Sequence, residues 1–380
     1  MAYQNVGTPR FFIDNYKYLR AIGLNPEEYI NETSTYNQLD DEENKTPLDN
    51  PNAFTLSPEI SKGFSADNDA KFYIPCGEMV NGMDFSGNMK WYGALLNHNL
   101  GTCNAIITKT TFNSTVGNSM SWDISDNDFS SILNANVGDP TENGTSIWFS
   151  DNNPVPQQFD EYYLENRFAG FHLEPIGEDG SLSDFQVGAI SMGVMYTMPK
   201  SPDLDLSITI LNDGIDKATT LGGADLTNIR YTGAPTWANN NKFSTSFGVG
   251  DYSEDISLNG AKRSGRREWD LKFTHISDSD LFSSNYMHNN YLEDDADNYN
   301  DSDINATGDG FEYNMFTDDS FIAQVWNKTL GGGLRFIFQP DSNNNNPDQF
   351  CIAKFDEKSL DIKQIAYRSY EISVKIRETW

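Results

Sequence analysis

From Tyr370 to Arg377 apolar and polar side chains alternate without a break, with Tyr370, Ile372, Val374 and Ile376 set against Glu371, Ser373, Lys375 and Arg377. A period of two fits an extended strand with one buried and one wet face, and a slip of one residue would bury the charges. The register of this strand is therefore fixed by its own sequence. Trp269, Leu271 and Phe273 alternate with Asp270, Lys272 and Thr274 in the same way, which predicts a second half-buried antiparallel strand. Any fold available to this chain must contain an antiparallel sheet with an apolar layer against one face.

The rest of the chain repeats the theme. Short runs rich in β-branched and aromatic residues lie at Ala105 to Ile107, Ile147 to Phe149, Phe168 to Leu173, Ile190 to Tyr196 and Leu206 to Ile210, separated by Gly, Asn and Asp turns. Trp91 to Leu96 forms another such run, leading directly into Asn97, His98 and Asn99. Residues 1–24 read as a polar arm and then a short helix, with Phe12, Tyr16 and Leu19 at helical spacing and Gly23 placed to end it. Phe321 to Trp326 reads as a second helix, stopped by Gly331, Gly332 and Gly333. The expected class is mainly β: an N-terminal helix and acidic arm over 1–62, a β-sandwich over 63–211, a linker over 212–242, and a second β domain over 243–380 with an acidic insertion at 278–318.

Composition removes several function classes. The 380 residues carry 56 acidic and 26 basic side chains, a formal charge of -30. Nucleic acid and anionic membranes both require clustered cations, so neither is an expected partner. No run of 18 apolar residues occurs and the opening residues lack a signal-type apolar core, which predicts a soluble protein made in a cytoplasm. Cys76, Cys103 and Cys351 are scattered and lack metal-ligand spacing, so they are expected to be buried small hydrophobes. There is no HExxH pair, nucleophile elbow, P-loop or dinucleotide fingerprint, and no enzyme is expected.

Four groups of residues remain as candidates. Asp301, Asp303, Asn305, Asp309 and Glu312 stand at positions one, three, five, nine and twelve of a calcium-type loop, although position six is Ala306 where the template has glycine; the alternative is a solvated acidic loop. Asn97, His98 and Asn99, with Trp148 or Trp91 as a stacking platform, form either a glycan contact or a structural turn. Arg263, Arg266 and Arg267, with Lys262, are the one basic cluster. They form either a subunit interface that meets an acidic surface of the next copy, or an exposed hairpin tip. Phe12 and Tyr16 would dock the N-terminal helix on a neighbour.

The order of parts from Phe247 onward resembles the tail-tube-like domain of tail-tip and distal-tail proteins of tailed bacteriophages, the lambda-type minor tail protein among them. The resemblance is carried by Phe247-Gly248-Val249-Gly250-Asp251-Tyr252, then Trp269, Leu271 and Phe273, then Phe321 to Trp326 with Gly331 to Gly333. It continues through Phe336-Ile337-Phe338-Gln339-Pro340 and Cys351-Ile352-Ala353 to the strand from Tyr370 to Trp380. The opening MAYQNVGTPRFFIDNYKYLRAIGL and the loop PDSNNNNPDQF resemble virion proteins of marine phages, and the middle of the chain is similar to galectin-like or discoidin-like modules through Asn97, His98 and Asn99 and Gly188 to Gly193. Relative to the distal-tail pattern the order of the two domains is reversed and 278–318 is an addition. The resemblance implies a virion structural protein, located in the tail after synthesis in the host cytoplasm, that self-assembles into a ring and binds neighbouring virion proteins. Two alternatives stand beside it: a carbohydrate-binding module for host attachment, and a decoration protein of the capsid or neck.

Overall fold

The structure, a computed structural model, describes residues 7–23, 54–57, 62–63, 70–75, 89–114, 120–123, 129–133, 144–150, 167–175, 181–182, 184–204, 206–212, 214–229, 265–282, 319–346 and 349–379. The chain is mainly β. In chain order the strands are β1 (Arg10–Asp14), β2 (Lys62–Gly63), β3 (Ala70–Pro75), β4 (Met89–His98), β5 (Ala105–Ser114), β6 (Met120–Asp123), β7 (Phe129–Leu133), β8 (Gly144–Ser150), β9 (Arg167–Pro175) and β10 (Gln186–Val187). They are followed by β11 (Ala189–Thr197), β12 (Ser207–Leu211), β13 (Ile215–Thr219), β14 (Asp225–Ile229), β15 (Arg266–Ser277), β16 (Phe336–Gln339), β17 (Cys351–Phe355), β18 (Ile362–Ala366) and β19 (Ser369–Glu378).

Eleven strands form one antiparallel sheet along the path β12-β15-β19-β17-β16-β1-β11-β4-β8-β7, with β18 added beside β19. The two expected strands are there with the expected faces, and they pair with each other: Trp269 lies opposite Ile376, Leu271 opposite Val374 and Phe273 opposite Ile372. On this pair the apolar side chains are buried while Asp270 and Lys375 reach solvent, the pattern that the alternation dictates. Lys272 with Glu371 and Lys375 with Glu268 form ion pairs across the wet face.

β1 corrects the reading of the N-terminal segment. Phe12 and Tyr16 do not share a helix, because RFFID is extended and the helix α1 (Asn15–Ala21) begins only after Asp14. Asp14 supplies the N-cap, its Oδ1 accepting from the Lys17 N–H at 3.1 Å, and Gly23 at φ 94° follows the last turn as expected. Extended backbone wins at β1 because both of its edges are taken: Phe11 lies opposite Tyr196 of β11 on one side and Phe338 of β16 on the other. Both faces are also filled. Phe11 and Ile13 enter the large apolar layer, and Phe12 enters the smaller layer on the opposite face with Tyr92, Ile337 and Ile352.

The large layer is continuous across the expected domain boundary. It runs from Trp91, Trp148 and Ile190 through Phe11 to Phe338, Trp269 and Val374. β12, expected to belong to the first domain, pairs with β15 of the second. The described strands on the two sides of residues 212–242 thus share a sheet and a core, joined where β1 stands between β11 and β16 and where β12 pairs with β15. Within 212–242 the described part includes the β13–β14 hairpin where a linker was expected. The strand expected around Phe247 lies outside the described residues.

The helix expected at Phe321 is a π-helix over Ile322–Asn327, and its wider ring continues past its end, with Gly331 N donating to the Trp326 carbonyl at 3.1 Å and Leu334 N to that of Thr329 at 2.9 Å. Phe321, Ile322 and Val325 face the core as the spacing predicts.

Candidate functional site

The turn after β4 is built into the fold. His98 is buried, and its Nδ1 accepts from the Leu100 N–H at 3.3 Å, so Nε2 carries the proton and donates to Ser146 Oγ at 2.8 Å. Burial holds this imidazole neutral, pushing its pKa down to about 3. Asn97 takes a left-handed conformation at φ 55°, with its N–H donating to Thr145 Oγ1 at 3.0 Å. Asn99 Oδ1 accepts from the Gln186 N–H at 2.7 Å while its Nδ2 donates to the Asp184 carbonyl at 2.9 Å. Trp148 is also buried, its ring lying where a Cβ on Gly93 would come within 2.4 Å of Cζ2. The candidate glycan contact is corrected accordingly: a stacking platform must be open to the sugar, and Trp148, Trp91 and His98 lie inside the core.

The basic cluster is corrected in the same way. Arg266 and Arg267 belong to β15 and not to a loop. Arg267 forms an ion pair with the buried Glu378, Nε to Oε2 at 3.4 Å, and its backbone N–H donates to the same oxygen at 2.9 Å. Its Nη2 reaches the Phe350 carbonyl at 3.1 Å, and the guanidinium lies 5.0 Å from the Trp269 ring centroid. The group clamps β15 and β19 to the start of β17, and this arginine is committed inside its own chain. Phe12 and Tyr16 are likewise buried, Tyr16 stacking on Phe54 at 4.2 Å, so neither offers a ring to a neighbour. Arg263 and the calcium-type residues Asp301, Asp303, Asn305, Asp309 and Glu312 lie outside the described residues.

Two buried polar groups had not been singled out in the sequence. Where β1, β4 and β11 meet, Tyr92 donates to Ser191 Oγ at 2.7 Å, and Ser191 donates to Asp14 Oδ2 at 3.0 Å. Gly193 permits the approach, since a Cβ there would come within 2.1 Å of the Ile13 carbonyl oxygen. Burial raises the Asp14 carboxyl to about 6, against the pull of Lys17 and of the hydrogen bonds that it accepts. The helix expected from Phe12 onward hid this cap, and the serine and tyrosine partners lie far away along the chain. In the π-helix turn Lys328 is buried with Nζ donating to Gln324 Oε1 at 2.5 Å, and burial lowers this amine to about 7. Among the described residues no three His, Cys, Asp or Glu side chains converge as a metal site requires. No described helix is long and apolar enough to cross a membrane.

The exposed counterpart of this core is the stretch 204–229. β12 is the last strand on its side of the sheet and, among the described residues, pairs with β15 alone. Ile208 lies opposite Trp269 and Ile210 opposite Arg267, yet the two isoleucines are 51% and 60% exposed. The β13–β14 hairpin follows, with all ten strand positions exposed, including Leu226 at 59% and Ile229 at 71%, and with Leu221 bare at its tip. Its turn is held by its own hydrogen bonds, Thr220 N to the Ala224 carbonyl at 2.9 Å and Thr219 Oγ1 to Asp225 Oδ1 at 2.9 Å. Two short β-runs flanking Leu221-Gly222-Gly223 were the signal for this hairpin. Chemically the stretch offers a strand edge and aliphatic side chains, which suit docking to a protein surface. Comparison of the chain with family models, curated proteins and solved structures finds no match.

Proposed function

We propose that this protein is a structural subunit of a tailed-bacteriophage virion, self-assembling into a ring at the tail and binding neighbouring virion proteins. One observation supports the assembly part: an apolar strand edge and a hairpin with exposed aliphatic side chains stand beside the buried core of the sheet. A two-stranded hairpin with neither face covered is marginal by itself in water, and it gains stability when another chain packs on it. The tail station rests on the resemblance of the segments from Phe247 to Trp380 to tail-tube-like domains. Of the residues on which the carbohydrate-binding alternative rests, His98 and Trp148 are buried, which favours the structural reading.

Light scattering on the purified full chain tests the assembly reading, with a closed oligomer as the expected result. Cross-linking mass spectrometry on intact particles tests the station, with links to tail proteins expected. A monomer at every concentration, together with absence from particles, would overturn the proposal. Links to capsid proteins alone would overturn the tail station in favour of head or neck decoration.

A further inference from the structure

We infer that Arg10, together with Lys90, binds a carboxylate at the rim of the smaller apolar layer, over the ring of Phe149. This site is independent of the self-assembly reading and adds a class of ligand to it.

β1 places Arg10 opposite Thr197 of β11 on one side and Gln339 of β16 on the other. Alternation along the strand puts its side chain on the face of Phe12, at the edge of the layer that also holds Tyr92 and Ile337. There its Nη1 donates to Gln339 Oε1 at 3.3 Å. Gln339 is buried, and its Nε2 donates to the Asn344 carbonyl at 3.0 Å and to Asn345 Oδ1 at 2.9 Å, so the oxygen that it turns to Arg10 is fixed in place. The Arg10 guanidinium lies 5.9 Å from the centroid of the Phe149 ring, and Lys90 Nζ lies 5.3 Å from the same centroid. One ring thus gathers two cations, from β1 and from β4. The Nε of Arg10 is buried and meets no acceptor among the described residues.

Arg267 shows what a guanidinium in this setting takes. It too lies over an aromatic ring, that of Trp269 at 5.0 Å, and it too gives one nitrogen to a carbonyl oxygen, that of Phe350. Its Nε and Nη2 then face the two carboxylate oxygens of Glu378, at 3.4 Å and 3.5 Å. Arg10 repeats the ring and the carbonyl oxygen, and the edge formed by Nε and Nη2 is the one that Gln339 does not use. No carboxylate among the described residues reaches that edge, although acidic side chains outnumber basic ones by 56 to 26 in the chain. Asp341, two residues beyond Gln339, accepts instead from the backbone N–H groups of Gly7 and Asn343, at 2.9 Å each. Burial of the uncompensated charge pulls the Arg10 pKa down. A planar carboxylate answers the fork with two parallel N–H···O bonds, and Lys90 adds a second positive charge beside it.

Isothermal titration calorimetry of the full chain, at constant ionic strength in a buffer free of carboxylates, tests the site. The probes are sodium acetate as a free carboxylate, a capped tripeptide with a central glutamate as a protein-borne one, and sodium phosphate as the rival oxyanion. Saturable binding of acetate or of the peptide is expected, with a Kd on the order of 1 mM, and the tighter of the two names the source of the carboxylate. Arg10→Lys keeps a cation but loses the fork, and should weaken that binding about tenfold. Lys90→Gln lies off the β1 joint and should weaken it about threefold; should Arg10→Lys fail to fold, this variant decides. Binding of neither carboxylate, or binding that is unchanged by both substitutions, overturns the site. Phosphate bound more tightly than either carboxylate overturns the assignment of the ligand. The proposed function is untouched by all of these outcomes, since ring formation is read separately by light scattering.

Discussion

β1 and β13 are both five-residue strands, and the structure treats them in opposite ways. RFFID has a hydrogen-bonded neighbour on each edge and an apolar layer on each face; among the described residues IDKAT has one neighbour, and all five of its positions are exposed. Aliphatic content does not separate them, since the hairpin carries Ile215, Leu226 and Ile229. What separates them is the number of surfaces that meet them. A strand is stabilised by what pairs and packs with it more than by its own preference for extension, and in this molecule one strand holds two halves of a sheet together while another waits at the margin.

The comparison breaks most readily at Phe11, whose ring lies 5.3 Å from Phe338 and 5.8 Å from Phe321. Phe11→Ala should lower the unfolding free energy by about 3–5 kcal/mol in a denaturant titration, because it leaves a cavity between two halves of one core. A loss no larger than that of a substitution on the β13–β14 hairpin would mean that β1 is not the joint described. Lys328→Met should raise stability at neutral pH by a few kcal/mol, since it removes an amine whose folded pKa of about 7 lies well below its value in the unfolded chain. The unfolded chain binds more protons between pH 7 and pH 10.5. Wild-type stability therefore rises with pH across that window, and the advantage of the variant should shrink toward its upper end.

Asp14 has the opposite sign. Its folded pKa of about 6 exceeds the ordinary 3.8, so the folded form holds the proton more tightly, and the resulting contribution is present below pH 3.8 and lost as pH rises through 6. Asp14→Asn keeps an N-cap and removes this titration, so the stability difference between variant and wild type should change by on the order of 2 kcal/mol between pH 7 and pH 4. A difference that stays flat over that range would show that the carboxyl titrates as it does in water. The smallest effect belongs to the hairpin: Ile229→Ser should move the unfolding free energy of the monomer by no more than about 0.5 kcal/mol, because this side chain is already in solvent.

Much of the sheet was legible in advance. The alternations at Trp269 and Tyr370 placed β15 and β19 on their correct faces, since a strand with one wet face writes its register into its own residues. Strands buried on both faces leave no such alternation, and RFFID next to a helix read as part of that helix until its two partners were known. The candidate site residues fared worse for a related reason. Arg267 in a run of basic residues looks like a surface feature, and only the fold brings Glu378, 111 residues away in sequence, against it. His98 between two asparagines looks like an exposed turn, and only β8 supplies the Ser146 hydroxyl that holds it inside.

By itself, the sequence determined that this chain makes an antiparallel sheet, which faces of its two most regular strands are wet, and where α1 and the π-helix segment end. These are local matters of period, charge and capping, settled within a few residues. Tertiary structure alone decided that β1 joins strands before residue 212 to strands after residue 265, that Arg267 is engaged by Glu378, that the aromatic candidates are interior, and that the stretch 204–229 is left exposed. The physical reason is that burial belongs to pairs of surfaces, and whether a given isoleucine ends up in the core depends on which distant strand arrives to cover it.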